Sequence, residues 1–349
     1  MTINSLLGRF VLLVGLLGLL SCSISATDTT KYLKVAPRKV GFFPLVSSSS
    51  NKTLTEDIGK LTYSLVPCSF HSPNPFKVEK LLKFGIIGHD YNINLEDVKD
   101  RSENYKKFAN VIRQARNVTI ISGGIMSNSF DFANNLKDRV GSGIVLYVNW
   151  DELNGGPFNY GTYAHNAPII GDRTGYLIKT LADDGAIDVS KLIGVGFSLG
   201  AHIIGNMGYH LTQNKLQMAH IIALDPASPC FEDWNDLRSV QRDNAKLVQV
   251  IHTDAKWFGY ERKIGHIDIY PNNGENQPEC SMILIHTCWH NYSWKLYKLR
   301  DIKAGCAKNW DEFKKNNIDH TIPIGHDLSS DHLLEGRDCT YYLHSPKAE

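Results

Sequence analysis

The chain has 349 residues, enough for two average domains or for one large α/β domain with a sizeable core. Its 37 basic and 36 acidic side chains leave a net charge of +1, and no basic block interrupts the sequence, so electrostatics argue against a nucleic-acid partner.

In chain order, residues 1–26 have the form of a secretory signal. Arg9 supplies a thin basic flank, 10–20 an apolar core, and Ser23, Ser25 and Ala26 are small residues ahead of a cleavage point. That core is too short to span a bilayer and no later run approaches spanning length, so a secreted, extracellular protein without a transmembrane segment is expected. Cleavage removes one of seven cysteines and leaves Cys68, Cys230, Cys280, Cys288, Cys306 and Cys339. An even number in an oxidising compartment predicts disulfides, and the spacing is not that of a zinc site, so no metal is expected. Asn51, Asn117 and Asn291 each head an Asn-x-Ser/Thr glycosylation acceptor. Residues 27–67 include a Ser/Thr/Asn-rich patch and read as an approach to the folded domain.

Beyond it, short apolar runs at 84–87, 118–121, 144–148, 192–197, 221–224 and 247–251 alternate with helical patterns, notably 130–140 and 163–181. Such alternation predicts a mostly parallel sheet with helices on both faces. The run at 192–197 passes directly into a helical pattern in which Leu199, Ile203, Ile204 and Met207 share a face. At that junction Ser198 lies between Gly196 and Gly200. A serine projected from so tight a bend needs small neighbours, because a side chain at either glycine would strike the adjoining strand or helix. A dinucleotide-binding turn is the rival reading, with Asp225 as the ribose acid, but Leu199 occupies the place of its third glycine.

In a parallel sheet, functional groups gather at the carboxyl ends of strands. Asp225, directly after the run at 221–224, can orient a histidine that takes the proton of Ser198. The order Ser, acid, His requires that histidine beyond Asp225. Candidates are His252, His266, His286, His290, His320, His326, His332 and His344. His252 and His266 border strand-like runs and read as structural. His290 is best placed, on a loop two residues after Cys288 and opening a helical pattern; His286 is the alternative. An oxyanion would be held by the backbone N–H of Leu199 and by a second donor, for which the strand ending in Ser122-Gly123-Gly124 has the right form.

Gly196-Phe-Ser-Leu-Gly-Ala-His202, Leu224-Asp-Pro-Ala-Ser-Pro229, Val250-Ile-His-Thr-Asp254, Gly265-His266, Ile269-Tyr-Pro-Asn272, Gln277-Pro-Glu-Cys280 and Cys288-Trp-His290 follow one another in this order. Together they resemble the secreted animal lipases related to pancreatic lipase, most of all the insect neutral lipases and venom phospholipases A1. The resemblance implies an α/β-hydrolase domain over 68–349, with Ser198 as nucleophile, Asp225 as acid, His290 as base and Gly124 with Leu199 as oxyanion donors. It implies no cofactor, and a glycerolipid substrate met at a membrane, lipoprotein or micelle interface. Three departures matter. Ser122-Gly123-Gly124 stands where the family usually has His-Gly-aromatic; the stretch after His290 is too short for the carboxyl-terminal β-sandwich of pancreatic lipase, so none is expected; and a disulfide between Cys280 and Cys288 would close only a small loop where long-lidded triglyceride lipases carry a flap. Met282, Ile283, Leu284 and Ile285 would form an apolar, lipid-contacting tip on that loop. The expectation is therefore a phospholipase A1, with a triglyceride or general carboxylester lipase as the alternative. Fly yolk proteins share the fold as storage and binding proteins without the serine, and retention of Ser198 argues against that role.

Overall fold

The computed structural model describes Cys68 and residues 75–141, 143–154, 160–232, 237–280, 285–328 and 339–347. The expected signal, the 27–67 segment, the Asn51 acceptor, and Met282, Ile283 and Leu284 lie outside these residues. Among the described residues the strands are β1 (Lys83–Ile86), β2 (Asn92–Asn94), β3 (Val118–Ser122), β4 (Ile144–Asn149), β5 (Ile193–Phe197), β6 (His220–Leu224), β7 (Leu247–Ile251), β8 (Ile267–Pro271), β9 (Lys303–Ala307), β10 (Thr321–Pro323) and β11 (Thr340–Leu343). They form one sheet in the order β10-β9-β11-β8-β7-β6-β5-β3-β4-β1-β2. From β4 to β11 every neighbouring pair is parallel. Antiparallel strands β1 and β2 close one edge, and β9 and β10 the other.

The helices that position the site are α1 (Pro75–Leu81), α2 (Leu95–Asp100), α3 (Glu103–Arg113), α4 (Ser129–Val140), α5 (Tyr160–Asp183), α6 (Leu199–Gln213), α7 (Ile285–Lys298) and α8 (Trp310–Lys314). Strand alternation sorts the sheet's side chains into two cores. Ile120, Leu146, Val148, Ile221 and Val250 face Phe108 of α3, Ile170 of α5 and Ile203 and Met207 of α6. Ile121, Val145, Phe197, Ile222, Leu224 and Ile251 face Phe132 and Leu136 of α4 and Tyr292 and Leu296 of α7. A mostly parallel sheet with both faces covered in this way is the α/β-hydrolase architecture. Helix α5 runs through Pro168 although proline removes one helical donor, because its buried face from Tyr163 to Leu181 is held against the core.

Three disulfides join Cys68 to Cys230, Cys280 to Cys288 and Cys306 to Cys339. The first links residues 162 apart in sequence. Constraining so long a loop in the unfolded chain is worth about 4 to 5 kcal/mol in the chain-entropy picture. A Cys68→Ser/Cys230→Ser variant is therefore expected to keep its far-ultraviolet circular dichroism while its thermal midpoint falls by several degrees; an unchanged midpoint would remove this cross-link from the account of stability. No helix among the described residues is long and apolar enough to cross a membrane.

Candidate active site

The register of the sheet brings the candidate groups together before any side chain is considered. Phe197 pairs with Leu224, and Leu224 with Ile251, so Ser198, Asp225 and His252 each stand one step beyond the end of adjacent parallel strands. Ser122 of β3 pairs with Gly196 of β5, which sets Gly123 and Gly124 on the other side of Ser198.

Ser198 has φ 57° and ψ −124°, a left-handed conformation that costs a non-glycine residue energy and is held in place by its surroundings. Its N–H donates to the Leu224 carbonyl at 3.0 Å and its own carbonyl accepts from the Ala201 N–H at 3.1 Å. The two glycines are required by backbone on both sides. A Cβ on Gly196 would lie 2.4 Å from the Gly200 carbonyl oxygen, and one on Gly200 would lie 2.2 Å from that of Ser122. Leu199 is the first residue of α6, so the helix itself leaves its N–H unpaired. A Cβ on Gly124 would come within 2.9 Å of the Ser198 Cβ, which places this residue directly against the serine. The Gly124 carbonyl accepts from the Asn154 side chain at 3.3 Å, tethering the loop. The Ser122 hydroxyl at its base is buried with no partner among the described residues.

Asp225 is fully buried and also left-handed, with φ 42°. Its Oδ1 accepts the N–H of Thr253 at 2.7 Å and of Asp254 at 3.2 Å, while Oδ2 meets His290 Nδ1 at 2.6 Å. Backbone donors thus stabilise the carboxylate that burial would otherwise disfavour. Gly259 makes room for it: a Cβ there would sit 2.4 Å from Asp225 Oδ1. The His290 ring is confined by Phe197, with ring centres 4.7 Å apart, and by Phe258 at 5.8 Å. With Nδ1 committed to Asp225, Nε2 is the nitrogen that can accept a proton.

His290 is not on a loop, as its sequence neighbourhood predicts, but inside α7. The helix starts earlier than its apolar pattern suggests because its buried face includes Trp289, Tyr292, Ser293, Leu296 and Tyr297 at helical spacing. Ile285, expected at an apolar loop tip, is its half-buried first residue. Cys288, in the first turn, ties the helix to Cys280.

His286 lies one turn before His290 and bonds a different acid: its Nδ1 is 2.8 Å from Asp254 Oδ1. Of the other histidine candidates past Asp225, His332 lies outside the described residues, and His252 and His266 serve the scaffold. His252 bridges the Tyr260 carbonyl and Asp268, each contact 2.8 to 2.9 Å, and His266 Nδ1 accepts the Val248 N–H at 3.0 Å. His202, from the segment after Ser198, stacks on Phe231 at 3.8 Å; burial pushes its pKa down to about 4, so it is a neutral packing residue. Thr253, Asp254, Phe258 and Gly259 are not singled out as site residues by the sequence; Thr253 and Asp254 fall in the Val250-Ile-His-Thr-Asp254 block of the resemblance, and Phe258 and Gly259 fall in none.

The sequence pattern of the family described as Lipase matches residues 94–297, a span that contains Ser198, Asp225 and His290. The chain is 38% identical over 150 residues to a phospholipase A1 from Vespula squamosa, an alignment covering 42% of this chain and 50% of that one. It is 32% identical over 221 residues to a phospholipase A1 from Vespa crabro, covering 60% and 72%. To pancreatic lipase-related protein 2 from Rattus norvegicus it is 30% identical over 148 residues, covering 41% and 31%. The matches thus span from half to about two thirds of the first such relatives, 50% of one and 66% of another.

Proposed function

Because the chain belongs to the Lipase family, we propose that it is a serine ester hydrolase of glycerolipids, working through Ser198, His290 and Asp225, and that its main activity is phospholipase A1. The observation that carries this reading is the 2.6 Å bond between His290 Nδ1 and Asp225 Oδ2, made one strand away from a serine held on a strained strand-to-helix turn. In the first step His290 Nε2 takes the Ser198 hydroxyl proton while Ser198 Oγ bonds to the ester carbonyl carbon. The resulting oxyanion receives the N–H groups of Leu199 and Gly124. The bond to the glycerol oxygen then breaks and that oxygen takes the proton from His290. Water, deprotonated by the same ring, then bonds to the acyl carbon; the bond from that carbon to Ser198 Oγ breaks, Oγ takes the proton back from His290, and the fatty acid leaves. Asp225 keeps the ring oriented and stabilises its cationic form.

The venom relatives named phospholipase A1, together with the short Cys280–Cys288 cross-link, favour phospholipid over triglyceride. Cys280 and Cys288 are eight positions apart, and α7 has already begun at Ile285, so little chain remains to cover a broad acyl cleft. Polar head groups are then admitted without a large opening motion, and ester cleavage at the sn-1 position is expected. Residues 68–349 form the hydrolase domain in this reading. Residues 1–26 are a secretory signal, in keeping with the three disulfides, and the enzyme meets its lipid at an extracellular interface. The test is a side-by-side assay on phosphatidylcholine and trioctanoylglycerol with the lysophospholipid product mapped by position. Faster release of the sn-1 acyl chain of phosphatidylcholine is expected; strong triglyceride turnover with negligible phospholipid cleavage would overturn the preference.

A further inference from the structure

Helix α7 carries two histidines on one face, four residues apart, and each bonds a different buried aspartate. Besides His290 and Asp225, there is His286 Nδ1 at 2.8 Å from Asp254 Oδ1. The two carboxylates are adjacent: the Asp254 N–H donates to Asp225 Oδ1, and oxygens of both acids with a ring nitrogen of His290 lie within 4.8 Å of one another. Asp254 is completely buried. A lone Asp225 carboxylate is what orients and stabilises the protonated base. A second anion within 4.8 Å of the ring would favour its protonated form, which cannot serve as base.

We propose that Asp254 and His286 form a second, charge-neutral acid–base pair that holds one proton between them, and that this pair positions the titration of His290 by keeping a second negative charge away from it. The inference rests on the reading of Ser198, His290 and Asp225 given above. Asp254 and His286 are positioning residues in it and touch no reacting atom. The surroundings suit a shared proton. His286 is packed against Trp257 with ring centres 4.2 Å apart, and against Trp289 at 5.1 Å, which limits its access to water. The second oxygen of Asp254 accepts the Phe258 N–H at 3.1 Å. The charged groups facing Asp254 from the elements around it are Asp225 after β6, His290 and His286 on α7, and Glu275 after β8, the last paired with Lys256 at 3.2 Å. Burial and the Asp225 charge push the Asp254 carboxyl well above the usual carboxylate range, opposed by His290, so a proton is readily held on this side of the site.

The readout is the pH dependence of covalent labelling of the intact protein by a fluorophosphonate, with Ser198→Ala as control, because labelling requires the base but no particular lipid. In His286→Gln, the Asp254 carboxyl has His290 as the remaining nearby base to take its proton, and the ion pair so formed keeps the His290 ring cationic, so the acid limb of the profile should move up by about one pH unit. Asp254→Asn removes the second charge altogether and should leave the limb where the wild type has it. The Asp254→Asn/His286→Gln double variant should return the limb to the wild-type position, a rescue that a purely structural role does not produce. An unmoved limb in His286→Gln, or a displaced limb that persists in the double variant, overturns the proposal while leaving the serine hydrolase intact. Should Asp254→Asn not fold, His286→Phe, which keeps a ring against Trp257, must show the same displacement as His286→Gln, and its failure to do so counts against the pair. If the wild type takes no label at Ser198, the proposed function and this inference fall together.

Discussion

Ser198→Ala is expected to lower ester turnover by on the order of 10⁴-fold or more, with His290→Ala and Asp225→Asn about as damaging, because the three groups serve one proton-coupled step and their losses do not add. Ser198→Ala removes the nucleophile and changes little else, since this residue's structural bonds are made by its backbone. Asp225→Asn keeps an oxygen for the Thr253 and Asp254 N–H groups but offers His290 an amide, which forces the wrong tautomer. Replacing Asp225 with Ala instead would also strand those two buried donors, at about 1 to 3 kcal/mol each, so Asn is the cleaner probe. Steady-state assays of the three variants on phosphatidylcholine, with folding checked by circular dichroism, decide the matter. A His290→Ala enzyme with wild-type rates, beside an inactive His286→Ala, would transfer the role of base to His286.

Gly124→Ala is expected to reduce kcat by about 10² to 10³-fold with a much smaller effect on KM, the signature of a lost oxyanion donor. The added Cβ would stand 2.9 Å from the Ser198 Cβ and 3.2 Å from Phe197 Cδ1. The serine is fixed by its bonds to Leu224 and Ala201, so the loop is the part that yields, and a shift of a few tenths of an ångström in a hydrogen-bond donor is enough to weaken it. The Ser122 hydroxyl, buried at the foot of this loop without a partner among the described residues, adds nothing to resist the shift, which leaves the 3.3 Å bond from the Asn154 side chain to the Gly124 carbonyl as the tether. A variant that keeps its full kcat on phosphatidylcholine would remove Gly124 from the oxyanion hole.

Local pattern was sufficient wherever the chain's chemistry and its fold depend on neighbours in sequence. The apolar runs that became β1, β3, β4, β5, β6 and β7 were visible because each is short, buried and bounded by polar or turn residues. The turn around Ser198 was visible because its demand for small residues at Gly196 and Gly200 is a demand on adjacent positions. The edge strands were harder. Strand β9 is Lys303–Ala307, with a glycine in the middle and little apolar bulk, and it is a strand because β11 and β10 pair with it from distant parts of the chain. His290 was found as a residue but misplaced as a loop residue. Its helix is defined by a buried face whose first turn is pinned through Cys288, and sequence spacing shows neither the core it packs against nor the cysteine it pairs with.

By itself the sequence determined a mostly parallel α/β domain, a serine on a strand-to-helix turn, an acid at the end of the following strand and an even set of cysteines, since each is a property of residues within a few positions of one another. Only the tertiary structure decided which histidine meets which acid. His286 and His290 have the same residue type, the same helix and the same face, and they differ in whether the register of β6 and β7 presents Asp254 or Asp225 to them. The room for Asp225 beside Gly259, and the two backbone N–H groups that hold its charge, likewise come from a loop beyond the next strand. Contacts of that kind are set by strand register and chain reversal across dozens of residues, which no local spacing encodes.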